Sequence, residues 1–255
     1  MNEIVGTHDV VLVTLDTLRH DVAVELAAQG RTPELSSRFG WEERHAPGSF
    51  TYASHVAMLA GFLPTPVAPG PHPRLFAAAF PGSETTAPET WTFDAADLPA
   101  GLAGIGYHTA CVGGVGFFNK LTPLGSALPG LFAESHWDQS FGVTDPDSLE
   151  HQISCALDVI ERAEDRLFLL LNVSALHQPN HFYLPGSAGD SPQTHAAALE
   201  YVDREIGRLF AGLRRPSFVI VCSDHGTAYG EDGHVGHRIG HETVWTVPYG
   251  EFVIA

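Results

Sequence analysis

Two carboxylates, one imidazole and one hydroxyl stand where polar side chains interrupt apolar runs. In Ser223-Asp224-His225-Gly226, the run Val219-Ile220-Val221-Cys222 breaks at Ser223, and Asp224 and His225 come next. Such a β-branched run reads as a buried strand, and ligands of open α/β sheets gather just beyond the carboxyl ends of strands. Oxygen beside imidazole suits a divalent metal, although Asp224 capping a strand-to-loop turn accounts for the same residues. Asp16 repeats the arrangement at the end of Val10-Val11-Leu12-Val13-Thr14-Leu15, where capping the next helix is its other reading. Thr51 opens a run of small and apolar residues that ends at Gly61, after the loop residues Ala46-Pro47-Gly48-Ser49. A hydroxyl at a helix start serves as an N-cap. It serves as a nucleophile only where something lowers its pKa.

The elements that must position these groups alternate between two periodicities. Tyr107–Val112 and Leu167–Val173 read as further core strands. Helical spacing of Leu149, Ile153, Leu157 and Ile160 predicts a helix over about 146–163. Leu199, Val202, Ile206, Leu209 and Leu213 predict a longer one over about 194–214, leading into the 217–222 strand. Shorter helices are expected from Val22 to Ala28, after Thr32-Pro33, and between Asp97 and Gly106. Strands alternating with helices imply an α/β fold, a three-layer α/β/α sandwich with a largely parallel central sheet, formed by residues 1–255 as a single domain. The glycines of Gly113-Gly114-Val115-Gly116 suit a tight turn or close approach to a ligand. Residues 63–92, rich in Pro, read as an irregular rim or lid over the sheet.

Thirteen basic residues against 30 acidic ones give a formal charge of −17. That field repels nucleic acid and anionic membrane, so the expected partner is a small anionic ester held by metal and His. Three cysteines (Cys111, Cys155 and Cys222) without C-x-x-C spacing point to a reducing compartment. No signal peptide and no membrane-length apolar run is visible, so a cytoplasmic location is expected, with the oligomeric state open.

Four motifs in this order resemble the alkaline phosphatase superfamily, and its sulfatase-like hydrolases in particular. They are Leu15-Asp16-Thr17-Leu18-Arg19, Ser49-Phe50-Thr51-Tyr52-Ala53-Ser54-His55, Glu200-Tyr201-Val202-Asp203-Arg204-Glu205-Ile206-Gly207, and Ser223-Asp224-His225-Gly226 continued through Gly236-His237 and His241-Glu242-Thr243-Val244-Trp245-Thr246-Val247-Pro248. The resemblance implies that Asp16, Asp224 and His225 hold one divalent cation (Mn²⁺, Zn²⁺ or Ca²⁺), with Thr51 completing its shell as nucleophile. A covalent phosphothreonine would form and be hydrolysed, with His177 and His237 binding the transferring group and protonating the leaving oxygen. His234 and His241 are further candidates for substrate contact or for a second metal. Asn119 and Arg19 are candidates for substrate contact or for a structural hydrogen bond.

Departures from the sulfatase pattern narrow the chemistry. Formylglycine formation needs Cys or Ser at the nucleophile, with Pro two residues on and Arg four residues on; here the positions read Thr51, Ala53 and His55. Two sulfatase lysines find Gly114 or Gly116 and His237 in their places. The expectation is therefore a hydrolase of phosphate or phosphonate esters. Sulfate-ester hydrolysis, phospho-group transfer and a non-catalytic binding relative are the alternatives. Phosphoethanolamine and lipoteichoic-acid transferases share a Thr nucleophile and a His-x-Pro element resembling His177-Gln178-Pro179.

Overall fold

The computed structural model describes residues 3–60, 97–213 and 215–255; the Pro-rich 63–92 rim lies outside the described residues. Nine strands occur among them: β1 (Asp9–Leu15), β2 (Glu42–His45), β3 (Tyr107–Val112), β4 (Glu134–His136), β5 (Arg166–Val173), β6 (Ser217–Cys222), β7 (Ala228–Tyr229), β8 (Val235–Gly236) and β9 (Thr246–Ile254). The helices are α1 (His20–Ala28), α2 (Pro33–Ser36), α3 (Thr51–Ala60), α4 (Leu98–Ala103), α5 (Pro123–Ala127), α6 (Ser148–Arg162), α7 (Pro192–Gly212) and α8 (Glu242–Trp245).

Seven strands form one sheet in the order β2-β9-β6-β1-β5-β3-β4, and β9 alone runs against the others. Both faces are covered. Along β1, Val11, Val13 and Leu15 enter one core with α1, α6 and α7, whereas Val10 and Leu12 enter the other, beside Leu59 of α3 and Leu102 of α4. Alternation of side chains along a strand feeds the two cores, and burial on both faces is why β1 and β5 are mostly apolar between their ends. The expected three-layer α/β/α sandwich with a largely parallel sheet is what forms. Among the described residues no helix is long and apolar enough to cross a membrane.

The α6 expectation differs from the observed helix by a residue or two. The α7 helix begins earlier than its apolar stripe, because Ser191 and Thr194 form a capping box and Pro192 occupies the first turn. Strands β2, β4 and β9 were not expected. The four side chains of β2, Glu-Glu-Arg-His, are all exposed and carry no apolar period; pairing with β9 makes the segment a strand.

Register fixes what comes next. Thr14 of β1 lies opposite Asn172 of β5 on one side and Cys222 of β6 on the other. Two residues further on, Asp16 and Asp224 emerge level with each other.

Candidate metal centre and active site

Asp16 is fully buried, and its Oδ2 accepts from the Thr51 hydroxyl at 3.2 Å and from Asn172 Nδ2 at 3.3 Å. Its Oδ1 has no hydrogen-bond partner. Asp224, equally buried, accepts at Oδ1 from the amides of His225 (3.0 Å) and Thr17 (3.4 Å), and its Oδ2 has no hydrogen-bond partner either. Burial raises the Asp224 pKa well above the ordinary carboxylate value, and the neighbouring Asp16 charge raises it further.

His225 completes the cluster. Its Nδ1 donates to the Gly226 carbonyl at 2.9 Å, which leaves the Nε2 lone pair facing Thr51 Oγ1 at 3.3 Å and Asp224 Oδ2 at 3.6 Å. Donor atoms of Asp16, Asp224 and His225 all lie within 4.8 Å of one another, the one such group of three among the described residues. Two buried carboxylate oxygens without partners and an imidazole lone pair converging on one point would be costly in a site with no cation. The donor set fits a divalent ion of the Zn²⁺ or Mn²⁺ kind.

Thr51 starts α3 and is 2% exposed. Behind it, His55 Nδ1 donates to the Thr51 carbonyl at 2.9 Å, and His55 Nε2 meets Thr14 Oγ1 at 3.0 Å. Burial holds the His55 pKa down at about 4. Asn172 also accepts at Oδ1 from the amides of Gly114 (3.3 Å) and Val115 (3.2 Å), so it braces Asp16 against the β3 loop. A Cβ at Gly114 would meet the Asn172 carbonyl oxygen at 2.6 Å, so the glycine cluster serves close packing against β5.

Next to this centre, the ring of His237 lies 4.8 Å from that of His225 and 5.3 Å from that of His177. Its Nδ1 is buried without a partner. Burial, then the neighbouring His225 and His177, lower the His237 pKa to about 4. His177 bonds through Nδ1 to the Gln178 carbonyl at 2.6 Å. The structure thus brings Asp16, Thr51, Asp224, His225, His177 and His237 together. His234 is exposed and packs its ring 5.6 Å from that of His241. His241 caps α8 by accepting from the Thr243 amide, and its Nε2 lies 3.2 Å from Asp232. Asn119 Oδ1 accepts from the Leu121 amide at 2.9 Å and so closes a turn of its own loop. Asn172, His55 and Thr17 are the surrounding groups that the sequence reading did not single out.

The chain matches the sulfatase family model over residues 8–250. It belongs to the sulfatase family. Its structural neighbours lie in the alkaline phosphatase superfamily. The soluble domain of lipooligosaccharide phosphoethanolamine transferase A from Neisseria meningitidis superposes with a TM-score of 0.66 at 18% identity, covering 97% of this chain and 77% of that one. The C-terminal periplasmic domain of EptC from Escherichia coli, in complex with Zn, gives 0.63 at 13% identity, covering 97% and 73%. An alkaline phosphatase superfamily protein from Vibrio parahaemolyticus gives 0.60 at 17% identity, covering 99% and 61%. This sulfatase-family chain spans about half (48%) of the integral membrane form of the Neisseria transferase. No curated protein matches it in sequence.

Two local features carry predictions. A Cβ at Gly226 would lie 2.0 Å from the Thr243 carbonyl oxygen, a backbone atom. Gly226→Ala must therefore displace the loop that holds Asp224 and His225. A loss of about 1–3 kcal/mol in stability is expected by denaturant titration, with weakened cation binding by calorimetry. Further along, His195 is buried on α7; its Nε2 accepts from the Arg19 amide at 3.4 Å and its Nδ1 meets Tyr229 Oη at 3.0 Å. Burial and the nearby Arg19 charge lower its pKa to about 3. The unfolded chain protonates near pH 6.5 and the folded one does not, so stability falls as pH drops from about 6.5 towards 3, by about 1.4 kcal/mol per unit for this group. Denaturant titrations over that range should show a slope shallower by about one proton in His195→Gln.

Proposed function

We propose that the chain is a metal-dependent hydrolase of phosphate or phosphonate esters with Thr51 as its nucleophile. The observation that carries this is the Thr51 hydroxyl at 3.2 Å from Asp16 and 3.3 Å from His225, beside two unpartnered carboxylate oxygens. Asp16 Oδ1, Asp224 Oδ2 and His225 Nε2 would hold one divalent ion, with Thr51 adjoining. A bound cation of that kind supplies positive charge that lowers a nearby hydroxyl pKa and offsets charge on a phosphoryl oxygen.

Thr51 Oγ attacks phosphorus, and its proton passes to Asp16 Oδ2, the carboxylate oxygen it already faces. The bond from phosphorus to the leaving oxygen breaks, and His177 delivers a proton to that oxygen. His237, neutral at working pH, donates an N–H to a phosphoryl oxygen. Water then displaces the threonine oxygen and regenerates Thr51. A small anionic ester is the substrate class. The free thiols Cys111, Cys155 and Cys222 support a reducing, cytoplasmic setting, which cell fractionation tests.

Transfer to an alcohol instead of water is the second reading, favoured by the Neisseria phosphoethanolamine transferase among the structural neighbours. The test is incubation with Mn²⁺, Zn²⁺, Mg²⁺ or Ca²⁺ and aryl phosphate monoesters, diesters, phosphonates and sulfates, with and without glycerol. Free phosphate or phosphonate is the expected product. Glycerol phosphate as the main product supports transfer, sulfate release supports a sulfatase, and inertness on every ester supports a binding protein.

A further inference from the structure

Resting on that reading, we propose that Arg238 is a substrate-binding residue that selects dianionic phosphate monoesters over monoanionic diesters. The argument starts from charge. Two ionised carboxylates balance one divalent ion, Thr51, His225 and His237 bring no permanent positive charge, and His177 gives up the proton it carries to the leaving oxygen. The chain as a whole carries −17. A dianion entering such a site needs a further cation.

Arg19 is spoken for, since its guanidinium is paired with both Asp21 and Glu231. Arg238 has no carboxylate partner among the described residues. Its position is fixed relative to the nucleophile: the Arg238 amide donates to the Ser49 carbonyl at 2.8 Å, two residues before Thr51. The guanidinium carbon lies 5.6 Å from the ring centroid of Phe50, the residue adjoining Thr51.

The backbone at Arg238 has φ +70°, the left-handed region that non-glycine residues rarely occupy. Strain of that kind persists where neighbouring contacts enforce it, and the Ser49 bond is such a contact. Aromatic rings adjoin Phe50, with Phe117 centred 6.1 Å from Phe50 and 5.8 Å from Tyr52. Rings next to a cation displace water and strengthen its pull on an anion. Because Coulomb attraction scales with ligand charge, Arg238 favours a dianion about twofold in energy over a monoanion.

The test measures binding apart from turnover. In Thr51→Ala protein loaded with Mn²⁺, and again without metal, calorimetry follows inorganic phosphate at about pH 8, where it is dianionic, and dimethyl phosphate as the monoanion. Arg238→Gln is expected to weaken phosphate about tenfold, or about 1.4 kcal/mol, and dimethyl phosphate about threefold or less. Arg238→Lys should retain most of the preference. Arg238→Gly relieves the left-handed backbone, so it should raise Tm while losing the preference. In the Thr51 background, Arg238→Gln should lower the monoester-to-diester ratio of kcat/KM severalfold.

Equal weakening of both anions, no weakening, or a fall in Tm that accounts for the loss would overturn the assignment. The two readings fail separately. Arg238-dependent phosphate binding by a protein inert on every ester upholds Arg238 and removes the hydrolase. Ester turnover with an unchanged monoester-to-diester ratio in Arg238→Gln upholds the hydrolase and removes Arg238.

Discussion

Thr51→Ala is expected to lower kcat by about 10⁴-fold or more and to leave cation affinity within a few-fold of the parent protein. The size follows from the proposed role: removing the nucleophile would eliminate the covalent route and leave binding and electrostatic stabilisation alone. Little structural damage accompanies the loss. The Thr51 hydroxyl meets Asp16 Oδ2 and His225 Nε2, whereas the unpartnered Asp16 Oδ1 and Asp224 Oδ2 remain in place. The α3 helix loses a β-branched residue at its first position, where alanine is tolerated. Thr51→Ser should retain much of the rate, because it keeps the oxygen and discards a methyl group. Steady-state kinetics, with calorimetry of Mn²⁺ binding on the same samples, separate the two quantities. An alanine variant that turns over like the parent would remove Thr51 from the chemistry.

The second large effect lies in stability. Asp16 and Asp224 face each other in the interior, and burial together with mutual repulsion raises the Asp224 pKa. Bringing two carboxylates together without a counter-ion costs free energy that a bound cation returns. Cation binding at about 100 times Kd then adds about 2.7 kcal/mol to the folded state. Asp224→Asn removes the repulsion and keeps the oxygen that accepts from His225 and Thr17. Its Tm without metal is therefore expected to rise above that of the parent under chelation. Its Tm in excess Mn²⁺ or Zn²⁺ is expected to fall below the parent's, because affinity drops by about 100-fold. The two melting curves cross on adding metal, and differential scanning calorimetry with and without chelator reads the crossing directly. A parent Tm indifferent to every divalent ion would sink the metal centre.

What the sequence disclosed follows from what burial does to composition. The β1 and β5 strands are packed on both faces, so their apolar runs stand out, and the abrupt polar residues that end β1 and follow β6 mark Asp16 and Asp224. Those positions needed no partner to be visible. Asn172 is different. It is the polar interruption in Leu167–Val173, but its task of bracing Asp16 depends on strand register, a property of chain segments more than 150 residues apart. His55 looks like any residue of an apolar helix until α3 is laid against β1. The β2 strand, with all four side chains exposed, owes its conformation to β9, and β9 itself contains Pro248 and Gly250, which argue locally against a strand. Local pattern thus reveals the groups planted on core strands and hides those whose role arises from contact across the sheet.

The level emergence of Asp16 and Asp224 from adjacent parallel strands has one more consequence. Their spacing is inherited from backbone pairing in the middle of the sheet, whereas His177, His237 and Arg238 ride on connecting segments beyond it. On the proposed reading, the cation ligands are therefore fixed by the sheet, and the groups that meet the substrate are carried by its connections. Grafting a different connection after Gly226 should retune which compounds are accepted while the ion-gripping framework stays intact, which makes that segment the natural place to re-engineer selectivity.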